Sequence, residues 1–273
     1  MNPKDIERND YYRPLRRNIL IIVIFVSFIP LIVVSSAILL QMYTDNREKV
    51  RVHLETLVKK HKQNIDHFLQ ERQNNISFIA DAYPYEYLSD SANLAQLLNK
   101  LRSLYGHVFS DIGVVGADGR QVSYAGPFPL ESARYDDAEW FQAAIQTDIY
   151  TSDVFKGLRD LPHFIVTARK ETDGQPWVLR ATVDFLAFND VVENITVGQT
   201  GFAHIINRVG ALQTRTTGRV LPENHEYLNL FQHSGHAGKD GIRFGTRKDE
   251  HGDDLIYVAG MLKDNQWALI FQQ

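Results

Sequence analysis

The chain has 273 residues, no cysteine, 29 Lys and Arg against 33 Asp and Glu, and a formal net charge of −4. The absence of cysteine excludes disulfides and thiolate metal sites and suits an oxidising compartment. The charge balance provides no basic face of the kind that nucleic acid requires.

The first element is an uninterrupted apolar run, Ile19 to Leu40, with Arg13, Arg16 and Arg17 just before it. At about 1.5 Å of rise per residue it covers roughly the 30 Å of a bilayer core. It is apolar all round rather than striped, which argues against a buried soluble helix. Ser35-Ser36-Ala37 resembles a signal-peptide cleavage site, but the length of the run, Pro30 within it and the apolar residues beyond favour an uncleaved anchor. We therefore expect a cytoplasmic terminus over 1–18, a transmembrane helix over 19–42, and residues 44–273 on the outer side of the membrane.

From Thr44 to Ala82 there is no glycine or proline, and Val50, Leu54, Leu57, Val58, Ile65, Phe68, Leu69, Ile76 and Ile79 recur at helical spacing. This predicts a long amphipathic stalk helix over 43–82, packed on its own domain or on the same helix of a second chain. Tyr83-Pro84-Tyr85 ends it, and Leu94, Leu97, Leu98, Leu101 and Leu104 predict a second helix. Strands follow: Asp111–Val115 and Gln121–Tyr124 flank an Asp118-Gly119 turn, the strongest short hairpin signal. A short helix is predicted from Asp137 to Thr147, strands over Phe164–Ala168 and Trp177–Thr182 about Asp173-Gly174, and a helix over Phe185–Asn194.

Beyond Gly198-Gln199-Thr200-Gly201 the pattern restarts in shorter form. Phe202–Ile206 and Ala211–Thr214 echo the first hairpin, a polar loop runs from Pro222 to about Asp240, and Ile242–Thr246, Leu255–Met261 and Gln266–Phe271 read as strands. The fold class is α+β: a transmembrane helix, a stalk helix, then two small antiparallel-sheet modules over 83–197 and 198–273.

Several strings resemble the double Cache sensor region of bacterial transmembrane receptors, above all sensor histidine kinases. They are Tyr124-Ala125-Gly126-Pro127-Phe128, Trp140-Phe141, Tyr150-Thr151-Ser152-Asp153-Val154-Phe155 running into Gly157-Leu158-Arg159-Asp160-Leu161-Pro162-His163-Phe164, Leu179-Arg180-Ala181-Thr182-Val183-Asp184, and Gly198-Gln199-Thr200-Gly201 with Gln213-Thr214. The resemblance covers nearly the whole chain. It implies two PAS-like modules, of which the membrane-distal one, 83–197, holds a small molecule while 198–273 lies next to the membrane. It also implies a bacterial inner-membrane protein whose residues 44–273 are periplasmic or extracytoplasmic, a homodimer through the stalk, and a second span expected beyond Gln273. No cofactor, metal or nucleic acid is implied.

A ligand pocket needs aromatic walls and a few convergent polar groups, and the segment from Tyr135 to Asp184 supplies both. Amino-acid-binding Cache domains place an Arg two positions before a Trp, and the resemblance puts Trp140 and Asp184 at matching positions; Ala138, Phe155 and Gly157 depart from that pattern. Arg134, Arg159 and His163 remain as cations for an anionic group. The expected site is a carboxylate or amino-acid-like ligand held by Arg159 or His163, enclosed by Tyr135, Trp140, Tyr150 and Phe155, and oriented by Ser152 and Asp184. Core packing is the alternative for Trp140 and Phe155, a surface place for Arg159, and helix capping for Asp153 and Asp184.

Other functions are weighed against this one. His225, His233 and His236 share a polar loop but lack a zinc-site spacing, and no Gly-x-Ser-x-Gly turn marks a hydrolase. The chain is expected to bind rather than catalyse. The output alternatives are a histidine kinase, a chemotaxis receptor or a diguanylate cyclase; a membrane-anchored partner-binding protein without a ligand is the further alternative.

Overall fold

The computed structural model describes residues 3–193, 195, 202–215, 225–232, 241–248 and 254–272. The chain divides into two units, Met1–His53 and Leu54–Gln273. Helix α1 runs Pro3–Ala82, so the expected transmembrane and stalk segments lie on one continuous helix. In the first unit its window Leu20–Met42 has a mean hydropathy of 2.8 and exposed apolar side chains. At 23 residues it is long and apolar enough to cross a membrane.

In the second unit α1 buries Leu54, Val58, Ile65, Leu69, Ile76 and Ile79. Spacings of four, seven, four, seven and three keep these residues on one face. His61 packs its ring on Phe271, Phe68 on Phe188, and Gln73 donates to the Thr151 hydroxyl at 3.0 Å. The apolar stripe is thus used inside the domain, and the face left to solvent carries Gln63, His67, Gln70, Asn74 and Phe78.

After Pro84 the short helix α2 (Tyr85–Leu88) leads to α3 (Ser91–Tyr105), whose first amides at Ala92 and Asn93 donate to Asp90. Leu94, Leu97, Leu98 and Leu101 form its buried face. Five antiparallel strands follow: β1 (Phe109–Val115), β2 (Gln121–Ala125), β3 (Ile149–Thr151), β4 (His163–Thr172) and β5 (Gln175–Asp184), ordered β2-β1-β5-β4-β3. The β4–β5 hairpin closes on Asp173 and Gly174, both with positive φ, the conformation a two-residue turn demands. Helix α4 (Glu139–Ala144) is shorter than predicted, and β3 was not foreseen. Three residues are too few to show a period. Helix α5 (Phe185–Glu193) leaves β5 directly.

The second sheet contains β6 (Phe202–Asn207), β7 (Ile242–Lys248), β8 (Asp254–Leu262) and β9 (Trp267–Gln272), ordered β6-β9-β8-β7. The predicted boundary at 198 lies outside the described residues, as do His233 and His236. Ala211–Thr214 does not become a strand: only the Ile206–Leu212 bridge forms. The Ile205 amide donates to the Thr214 hydroxyl rather than to a carbonyl, which breaks the ladder there. Within the expected loop, His225–Gln232 forms helix α6.

The two sheets share a core and a polar joint. Phe164 of β4, Phe188 of α5 and Trp267 of β9 pack pairwise with ring centroids 5.2–6.2 Å apart. Asp153, just after β3, accepts from Trp267 Nε1 at 2.7 Å, Lys263 Nζ at 3.1 Å and Asn207 Nδ2 at 2.7 Å.

Candidate functional site

One face of the first sheet is built by strand alternation. Asp111, Gly113 and Val115 of β1, Val178, Arg180 and Thr182 of β5, and His163, Ile165 and Thr167 of β4 fall in register. Over this face the α4 region and the 152–163 segment enclose a cavity of 430 Å3. Tyr135, Trp140, Tyr150, Ser152, Phe155, Arg159 and His163, all expected from the sequence, line it, together with Arg180, Asp153 and Ile165.

Trp140 is both wall and core: it is buried, and it meets Tyr135 and Phe141 edge-on at 4.9 and 5.8 Å. Phe155 lies against the His163 ring at 4.5 Å. The Ser152 hydroxyl accepts from the Ile165 amide at 2.9 Å and donates to the Asp153 carbonyl at 2.8 Å, which fixes the bend out of β3.

At the floor lies a charge cluster in which the expected Arg159 meets two residues absent from the expected site, Asp111 and Arg180. Asp111 is fully buried, receives Arg180 Nη1 on Oδ1 at 2.8 Å, and pairs with Arg159 Nη2 through Oδ2. Arg180 also donates to Gln121 Oε1 at 2.8 and 3.3 Å and to Tyr135 at 3.1 Å. Arg159 donates to Thr182 Oγ1 at 2.6 Å and stacks over Phe128 at 4.9 Å. Two guanidinium groups therefore share one carboxylate. Burial opposes the charge on both; Asp111 raises the Arg180 pKa in spite of it, whereas Arg159, which also feels Arg180, is left lowered. Both stay charged, since a guanidinium holds its proton far above neutral pH.

Glycine makes room for this cluster. A Cβ at Gly113, between Tyr124 and Arg180 in the sheet, would strike the Gln121 side chain, and one at Gly126 would overlap Asp111 and the Tyr124 hydroxyl.

Two expectations need correction. His163 is not a cation: burial pushes its pKa down to about 4, while its Nδ1 sits 2.7 Å from the Leu161 carbonyl, which can only accept. Arg134, by contrast, does line the cavity, as an exposed guanidinium paired with Asp136 at 3.1 Å. Asp184 does not line the cavity. Its Oδ1 caps α5, accepting from Leu186 and Ala187 at 2.9 and 3.1 Å, because β5 turns into the helix at that residue.

Arg180 did leave a signal. Arg180 and Thr182 alternate with Leu179, Ala181 and Val183, so polar residues occupy one face of a strand buried on both. Among the described residues no group of three or more His, Cys, Asp or Glu could hold a metal.

No protein-family model and no curated protein matches the sequence. Solved structures do. The sensory domain of the Campylobacter jejuni chemoreceptor Tlp3 with isoleucine bound gives a TM-score of 0.62 at 12% identity, over 84% of this chain and 94% of that one. The ligand-binding domain of the same receptor with L-valine gives 0.60 at 13%, over 84% and 94%. The extracellular domain assigned to the histidine kinase rpHK1S-Z16 gives 0.56 at 16%, over 85% and 95%. At such identities the likeness is one of fold. The chain shares the fold of chemoreceptor and histidine-kinase sensory domains, in line with the double Cache resemblance of its sequence.

Proposed function

We propose that residues 44–273 are the extracytoplasmic sensing region of a membrane-bound signal-transduction receptor, most in keeping with a histidine kinase, and that the cavity over the first sheet takes a small organic acid or amino-acid-like ligand. The observation that carries this is the buried cluster of Asp111, Arg159 and Arg180, whose positive charge exceeds its negative charge at the floor of an aromatic cavity. A site of this kind stabilises an anion that water would otherwise solvate. Tyr135, Trp140, Tyr150, Phe155 and Ser152 form its walls.

In this reading 1–18 is cytoplasmic, Leu20–Met42 lies in the bacterial inner membrane, 83–197 is the ligand-binding module and 198–273 the membrane-proximal one. The chain binds and does not catalyse, and it works as a homodimer through the solvent face of the stalk. The fold neighbour Tlp3, solved with isoleucine and with L-valine bound, supports a small-molecule ligand, and as a chemoreceptor it keeps a chemotaxis output as the second reading. The gene sequence downstream of Gln273 separates the two. Thermal unfolding of the full chain in detergent against organic acids, amino acids, sugars and amines tests the sensor reading. A rise in midpoint with at least one compound is expected, and a flat response to the whole panel contradicts it.

A further inference from the structure

The structure carries a sharper statement about the ligand, which rests on the sensor reading above. We infer that the cavity selects simple carboxylates with an apolar body and discriminates against their α-amino counterparts.

The anion end is prepared. Arg159 has a side chain only 4% exposed, lines the cavity, and spends Nη2 on Asp111 and Thr182, while its Nε and Nη1 make no hydrogen bond among the described residues. Burial, opposed by Asp111 and reinforced by Arg180, lowers its pKa, the mark of a cation whose compensation is incomplete. A ligand carboxylate at this point completes the charge balance that Asp111 leaves unfinished. Tyr135 accepts from Arg180, so its own hydroxyl proton is free to donate toward the same region.

The cation end is absent. An ammonium next to that carboxylate needs an anion or several good acceptors. Asp111 is committed to two guanidiniums and the Thr182 hydroxyl. Asp153 is matched by Lys263 and takes further bonds from Trp267 and Asn207. Asp137 and Glu139 stand exposed at the rim, where water and salt screen them. His163 is neutral and offers a lone pair but no charge. An α-ammonium would therefore lie beside two guanidiniums without a counter-charge, and like-charge juxtaposition is how a site rejects an otherwise similar ligand.

The test is calorimetric titration of the detergent-solubilised full chain with three matched pairs: 3-methylbutanoate and valine, 4-methylpentanoate and leucine, 3-phenylpropanoate and phenylalanine. At least one acid is expected to bind about tenfold or more tightly than its amino acid, a gap of roughly 1.4 kcal/mol. Arg159→Gln should weaken that acid by about tenfold or more, and Arg159→Lys, which keeps the charge, should recover part of it; unfolding midpoints of both variants show whether the fold persists. Equal or tighter binding of the amino acid, or acid binding indifferent to Arg159 in a folded variant, overturns the inference. Silence of all six probes overturns it too, and the response to sugars and amines then shows whether the sensor reading survives.

Discussion

His163 illustrates how one buried group sets a pH response. It stays neutral in the folded chain down to about pH 4, whereas in the unfolded chain it protonates near 6.5. Between these values the unfolded state binds the extra proton, so stability falls as the pH is lowered from about 6.5 to about 4, by up to about 3 kcal/mol. His163→Gln, which cannot protonate, is expected to flatten urea-unfolding midpoints across that window; an unchanged slope contradicts the assignment. Asp111 is the other decisive residue. Asp111→Ala strands two buried guanidiniums, and a loss of about 3–5 kcal/mol is expected in the same assay. Arg159→Gln, which leaves Asp111 bonded to Arg180, should cost less.

At the scale of elements, the solvent face of α1 separates two uses of one helix. Its apolar stripe is consumed by the sheets, so a dimer through the stalk must use the face of Gln63, His67, Gln70, Asn74 and Phe78, the last 70% exposed. The chain has no cysteine, so a cysteine at Asn74 reports alone: Asn74→Cys is expected to form a disulfide-linked dimer in membranes under mild oxidation, and a chain that stays monomeric contradicts the stalk dimer. The elements with strong periods were legible in the sequence, including α1, α3 and both ends of the β4–β5 hairpin about Asp173-Gly174. Those that depend on the tertiary setting were not. β3 is three residues long, and Ala211–Thr214 had strand composition but gives up its ladder to the Thr214 hydroxyl. The aromatic walls of the site were legible because aromatics cluster there; the pairing of Arg180 with Asp111 was not, since an ion pair across 69 positions leaves no local pattern even where the arginine itself stands out in its strand.

At the scale of the folded domain, the wall of the cavity is joined to the second sheet. Asp153 is half-exposed; burial works to raise its pKa, but Lys263 and the hydrogen bonds from Trp267, Asn207 and Lys263 outweigh it and hold the carboxyl below the usual range. Its contribution is present above about pH 4 and is lost as the pH falls through its lowered folded value. Asp153→Ala, which leaves Trp267 Nε1 and Asn207 without that acceptor, is expected to cost about 1–3 kcal/mol and lower the thermal midpoint. A midpoint equal to that of the parent chain would mean that the joint adds no stability. The cavity over the first sheet is proposed to receive an anion at Arg159. A structure of the chain with a bound branched or aromatic acid decides the matter: the carboxylate is expected in hydrogen-bond reach of Arg159 and Tyr135 with its apolar body against Trp140, and a ligand seated elsewhere, or an ammonium at Arg159, refutes the assignment.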